Sequence, residues 1–423
     1  MASVLPREPG GPTVSLIDDA RAMLEPGPVC DSCLGRPVAD RSFGLTDAER
    51  GRALRTTVAL TDDEPFERPD DCWVCEGVCS RFDDLADRLV TALGDTELFT
   101  YQVGTRVPPL LEENDRLLRE EAGLAPDAGE TLNTELNREV GRRVGAVLDA
   151  EVEFGRPDVQ FLLDLEADEV EVRRNSVAVY GRYRKLERGI PQTEWDTYDE
   201  SVEELVAPPF LSALRGTEAV FHGAGREDVD ALMLGAGRPF VLEVKNPRRR
   251  TADLAELRTQ VGDGGTVEVK DLAFATYEMV ARVKQLDATK TYRATVEFDG
   301  AVTEREFEAA LTELDGVTVD QRTPHRVDHR RADRVRERTV LSVDGRLEDD
   351  RTAVIDVHGE GGLYIKELMS GDEGRTEPNL AGVIGVGATV TALDVLDVEG
   401  VTEPFLTDEY RRGWDDEATV GPD

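Results

Sequence analysis

The sequence predicts an α+β chain of more than one domain, and three observations carry that expectation. At 423 residues the chain is longer than one ordinary hydrophobic core accommodates. Helical apolar spacing marks the first part, at Arg81 to Leu93 and Leu132 to Ala150. Further on, strands near Ala219, Val229, Val241, Val267, Tyr292, Val317, Val340, Val354 and Thr389 outnumber the helices, and several follow one another through short turns.

The five cysteines all fall in the first fifth of the chain. Cys30 and Cys33 form one CxxC, Cys72 and Cys75 form a second, and Cys79 is left over. No basic-then-apolar leader and no membrane-length apolar run is present, so a cytoplasmic protein without a membrane partner is expected. Disulfides are rare in that compartment, and the two pairs read as four thiolates for a tetrahedral, structural zinc. Reduced buried or redox-active thiols are the alternative. Such a zinc site has no open position for catalysis, and it would staple the loop or insertion expected over Leu34 to Asp71. After the two helices, strands are expected at Val159 to Leu165 and at Glu169 to Val172.

Formal net charge is −38, and only six lysines stand among the basic residues. Recurrent apolar elements argue against a disordered acidic chain. A halophile's protein, kept hydrated in concentrated salt by its acidic surface, accounts for the composition. Partners must therefore be read from local departures. In Gly181 to Trp195, Arg182, Arg184, Lys185 and Arg188 interleave with Tyr183 and Trp195, a pattern suited to RNA phosphates and bases or to a solvated loop. From Gln321 to Arg338, Arg322, Arg326, Arg330, Arg331, Arg334, Arg336 and Arg338 face only Asp328, Asp333 and Glu337. Those arginines either hold RNA or neutralise acidic surface. At molar salt the screening length is about 3 Å, so only direct contacts would hold RNA.

Asp228 lies in Gly225 to Gly235, GREDVDALMLG, between strands expected at Glu218 to Phe221 and Val229 to Leu234. On its own it is either a carboxylate presented to a substrate or a turn residue accepting backbone amides. Competing chemistries find little footing. His358-Gly-Glu360 lacks the PCxxC that follows in nucleobase deaminases, and no GxSxG accompanies the four histidines. Neither Gly223-Ala-Gly225 nor Gly235-Ala-Gly237 extends to GxGxxG, so no nucleotide cofactor is expected.

The region of helices and strands from Arg81 to Val172 resembles a THUMP domain, an RNA-binding module of tRNA-modifying enzymes. GREDVDALMLG with Asp228, KTYRATVEF with Tyr292, and GGLYIKELMSGDEGRTEPNL with Tyr364, Ile365 and Lys366 resemble, in order, the three motifs of pseudouridine synthases. The chain is most similar to the archaeal tRNA pseudouridine synthases acting at positions 54 and 55.

That resemblance implies a zinc-binding region over 1–80, a THUMP-like region over 81–175 and a catalytic domain over 176–423 with a mixed, mainly antiparallel sheet and flanking helices. It implies tRNA as partner, no cofactor for catalysis, and a monomer. Asp228 would act as ribose nucleophile or as base, and both routes stay open. Lys366 would pair with Asp228, Ile365 would pack on the uracil, Tyr292 and Tyr364 would contact the substrate, and Arg226 would fill the space left by the flipped nucleotide. The rival reading is a non-catalytic, zinc-containing tRNA-binding protein.

Overall fold

A computed structural model describes residues 15–226, 228–327 and 332–413. The chain divides into two compact units, residues 1–175 and 176–423.

In the first unit, helix Phe82–Leu93 buries Leu85, Leu89 and Leu93, and helix Leu132–Leu148 buries Leu136, Val140 and Val144. These spacings of four place one apolar stripe on each helix. Strands β1 (Thr100–Arg106), β2 (Glu151–Val152), β3 (Val159–Asp164) and β4 (Glu169–Arg174) form a sheet in the order β2-β1-β3-β4. β1 runs parallel to β3, and β3 antiparallel to β4. One apolar core runs from Ala20 to Leu163 and includes Cys33, Cys72 and Cys75.

The stretch expected as a loop or insertion instead contains the 16-residue helix Asp47–Asp62. Its signal was a capping box: Thr46 accepts from the Glu49 amide while the Glu49 carboxylate accepts from the Thr46 amide at 2.7 Å. The helix crosses Asp31–Gly35 through bare backbone, because a Cβ on Gly35 would stand 1.9 Å from the Asp47 carbonyl oxygen.

The second unit holds β5 (Val177–Lys185), β6 (Glu218–Gly223), β7 (Met233–Lys245), β8 (Val267–Ala275), β9 (Ala288–Phe298), β10 (Thr318–Arg322), β11 (Val335–Leu347), β12 (Thr352–Glu360), β13 (Thr376–Glu377) and β14 (Ala388–Gly400). They make one sheet in the order β13-β10-β11-β12-β9-β14-β7-β5-β8, with β6 paired to β7. Every pairing in it is antiparallel except β14 with β7. The mixed, mainly antiparallel α+β expectation therefore holds. β9 is central, flanked by β12 and β14, and its Tyr292 stands opposite Val357 and Val395. Tyr292 packs against both apolar cores of this unit. No helix among the described residues is long and apolar enough to cross a membrane.

The strand expected from Val229 to Leu234 starts only at Met233, so Asp228 sits within a loop between β6 and β7. Side chains from β5 and the segment after it capture the carbonyls that would otherwise enter the ladder, as the site geometry shows.

Candidate active site and metal centre

The loop carrying Asp228 is gripped through its main chain. Lys185, fully buried at the end of β5, donates from Nζ to the carbonyls of Ile190 at 2.8 Å, Val229 at 3.2 Å and Asp228 at 3.4 Å. The Gly189 amide reaches the Val229 carbonyl at 3.0 Å, and Arg188 Nη1 reaches that of Asp230 at 2.5 Å. Upstream, Arg238 Nη1 holds the Ala224 carbonyl at 2.9 Å and Gln192 Nε2 that of Gly225 at 3.0 Å. Downstream, the Leu232 amide donates to Asp394 at 3.0 Å. Carbonyls satisfied by buried donors are costly to release, so the loop is fixed while the Asp228 residue itself stays exposed.

Several predicted residues converge there. Tyr292 is half-buried, and its hydroxyl is pushed above the usual phenol range by burial; Arg238 works against that rise and the negative charge of Asp228 adds to it. Tyr292 therefore keeps its proton in the field of Asp228. Tyr364 is pinned by Gln321, whose Oε1 accepts from the Tyr364 amide at 2.8 Å and whose Nε2 donates to the Tyr364 carbonyl at 2.9 Å.

Lys366 faces Asp230, at 4.0 Å, where the sequence pointed to Asp228. Arg326 is a cation that the charge of Asp228 reaches. Burial works to lower its pKa, but the hydrogen bond to Glu367 at 2.7 Å and the charges of Glu367 and Asp228 together raise it. Its guanidinium lies 5.9 Å over the Tyr364 ring. Asp230, two residues beyond Asp228, projects into solvent with 77% of its side chain exposed, and the Lys366 side chain, from the first turn of helix Ile365–Ser370, meets it there. Ile365 is only 2% exposed and packs with Leu363 and Leu368 in the apolar core, so the wall it forms is interior. Arg226 is exposed on the loop.

In the two basic segments several of the cations are held by the protein's own groups. Arg182 is bound to the carbonyls of Ala236, Gly237 and Val398 and to Asp397, and Tyr183 is fully buried. On β5, paired on both sides by β7 and β8, these side chains serve as braces. Trp195 stays 53% exposed, stacked on Tyr198 at 5.8 Å. In the second segment Arg322 pairs with Asp333, and Arg338 donates to the Gly361 carbonyl at 3.0 Å. Arg330 and Arg331 lie outside the described residues.

In the first unit, four sulfurs lie within 4.8 Å of one another, and they belong to Cys30, Cys33, Cys75 and Cys79. Cys30 and Cys75 are 3.7 Å apart, and Cys33 and Cys79 4.0 Å. Four thiolates around a zinc ion stand about 3.8 Å from one another, so the donors fit the metal. The quartet includes Cys79 where the sequence pointed to Cys72. Glu76 at φ 48° and Gly77 at φ 84° reverse the chain, and the turn Val78–Ser80 returns Cys79 to Cys33. Cys72 borders the cluster, its thiol held down to about 7 by hydrogen bonding with Cys30 and Cys33. Arg36 braces the sulfurs, 3.3 Å from Cys33 and 3.8 Å from Cys79.

Residues 178–399 match the family model "Pus10, C-terminal", and residues 85–164 match "Pus10 THUMP domain, archaeal". A protein of Halorubrum lacusprofundi, named tRNA pseudouridine synthase Pus10, is 58% identical over 413 residues, covering 91% of this chain and 97% of that one. Relatives of the same name from Methanothrix thermoacetophila and Pyrococcus furiosus are 41% and 38% identical, covering 93% and 90% of this chain and 96% and 98% of their own. The chain belongs to the Pus10 family of tRNA pseudouridine synthases.

The Pus10 C-terminal match spans β5 to β14 and so contains the whole neighbourhood of Asp228, while the cysteine cluster lies outside both matched segments. Lys185, Arg238, Gln321 and Arg326 escaped assignment as site residues, and only two of them carried a sequence signal. Lys185 is one of six lysines, and Arg326 stood within the arginine cluster.

Proposed function

We propose that this chain isomerises uridine to pseudouridine in the T arm of tRNA, at position 54, 55 or both, with Asp228 as the catalytic carboxylate. The observation that carries the reading is an exposed aspartate on a loop clamped by its carbonyls, in the field of a protonated tyrosine and a guanidinium. In the reaction the bond from N1 to the ribose C1′ breaks, C1′ joins to C5, the C5 proton leaves, and N1 regains one. Atoms balance without a cofactor or an energy source.

Asp228 acts on the ribose or as base, with the Arg326 guanidinium in its field. Tyr292 offers a ring to the flipped base and an O–H near the sugar, and Tyr364 with Arg326 walls the other side. Lys366 with Asp230 borders the opening, Ile365 supports it from within, and Arg226 occupies the vacated helix position. Extruding a base costs a few kcal/mol, about what one or two stacks return.

The remaining assignments follow from this reading. Residues 1–80 bind a structural zinc through Cys30, Cys33, Cys75 and Cys79, residues 81–175 dock tRNA, and 176–423 catalyse, in a cytoplasmic monomer. The test is purified protein with unmodified tRNA in concentrated potassium chloride, followed by carbodiimide mapping. Pseudouridine at the T arm with wild type and none with Asp228→Asn is expected. Binding without any product from wild type would make the chain a non-catalytic tRNA-binding protein.

A further inference from the structure

Lysine is scarce in this chain, yet Lys284 and Lys290 line one cavity of about 250 Å³ that opens beside Gly225, at the start of the Asp228 loop. An adjoining groove of about 600 Å³ shares Gln285 to Ala288 and Gly361 with that cavity and adds Arg338. The two form one trough along the entry to β9.

At both ends a cation faces bare backbone. A Cβ on Gly225, whose φ is 73°, would lie 3.4 Å from both Lys290 Nζ and Arg238 Nη1. One on Gly362, with φ 89°, would lie 3.8 Å from Arg338 Nη2, the nitrogen of that guanidinium that would face an anion here, since Nε donates to the Gly361 carbonyl and Nη1 to that of Glu337. Glycine there leaves room for an anion next to nitrogen donors. Lysine or arginine thus contributes three lining residues against Asp287 and Glu360, in a chain with 88 acidic and 50 basic residues. Glu360 is already occupied by the Thr339 amide at 3.0 Å.

We propose that this trough carries the RNA strand adjoining the flipped nucleotide, with Lys284, Lys290 and Arg338 against its phosphates. The assignment rests on the synthase reading given above. In concentrated salt only such direct pairing, at a contact too short to be screened, retains affinity.

The test measures tRNA binding to the full chain as a function of potassium chloride, for wild type, Lys284→Gln, Lys284→Gln with Lys290→Gln, and Lys290→Arg. Each phosphate contact contributes about 0.7–0.9 to the logarithmic salt slope, so the double variant should lose about 1.5 and Lys290→Arg almost nothing. Ethylating the phosphates next to the target uridine should weaken wild-type binding and leave the double variant unmoved. An unchanged slope, or equal ethylation interference in wild type and double variant, overturns the proposal. Should the double variant fail to fold, the exposed Lys284→Gln alone must lose about 0.8 of the slope. Failure of the synthase reading looks different: wild type would bind tRNA with the full slope yet form no pseudouridine.

Discussion

Arg36 in the first unit and Asp228 in the second show two opposite uses of charge. Arg36 is wholly buried, 2.5 Å from Asp115 and 2.5 Å from Glu135, and also touches the sulfurs of Cys33 and Cys79. Asp228 is exposed, and what is buried beneath it is the grip on its backbone. In the first unit desolvated ions close on one another, which fixes the packing of helices and cysteines. In the second, buried donors satisfy carbonyls so that a carboxylate can remain open. Charge that holds a fold is paired out of water; charge that meets a substrate is held at water's edge by something else.

That contrast can be broken most forcefully at the cysteines. Cys79→Ser is expected to lose bound metal and to unfold the first unit, since structural zinc contributes about 10–16 kcal/mol in small zinc domains. Cys72→Ser should keep the metal. Elemental analysis after gel filtration, with thermal melts, checks both, and equal loss in the two variants would put Cys72 back in the ligand set.

Asp228→Asn should cut pseudouridine formation by about 10²–10⁴ or more while shifting unfolding by no more than about 0.5 kcal/mol. Single-turnover assays and denaturant titration separate the two effects. The mirror image is Arg36→Met, which strands two buried carboxylates and should cost about 3–5 kcal/mol of stability in the first unit. If its denaturation midpoint were unchanged, the buried network would not be structural.

Lys185→Met tests the grip itself. The carbonyls of Ile190 and Val229 lose a buried donor, and a misplaced Asp228 should lower the single-turnover rate about 10–100-fold with tRNA affinity retained. Loss of affinity with an intact rate would point to Lys185 serving RNA directly.

The smallest effect concerns pH. His222 Nε2 lies 3.1 Å from Glu243 Oε2. Burial, with Lys284 and Lys245 nearby, depresses the imidazole pKa more than Glu243 restores it. A group depressed in the folded state contributes its stability above its unfolded value, about 6.5, and loses it as pH falls through the folded value. Melting temperature of the second unit should therefore decline modestly below that pH, and His222→Gln should flatten the decline. A wild-type profile identical to the variant's would exclude the effect.

Much of this was legible in the residues. The helices at Phe82–Leu93 and Leu132–Leu148 and most strands of the large sheet follow from apolar spacing, because burial on one face imposes it. The start of β7 was not legible: Val229 to Leu232 is apolar enough for a strand, but Lys185 and Gly189 capture its carbonyls from elsewhere in the chain. Helix Asp47–Asp62 was hidden because it buries Asp47, Gly51, Leu54 and Arg55 in place of an apolar stripe, although its capping box was in plain view.

Sequence by itself determined the chemistry on offer: an aspartate in a glycine-bounded loop, two tyrosines and a lysine in ordered segments, five clustered cysteines, and an acidic surface with few lysines. Tertiary structure alone decided who meets whom. It set Arg326 in the field of Asp228 and Lys366 against Asp230, drew Cys79 into the sulfur quartet, and turned Arg182 and Lys185 inward. The reason is physical. Motifs and periodicities report forces between neighbours along the chain, whereas hydrogen bonds and ion pairs act over a few ångströms of space, between residues the chain brings together only by folding.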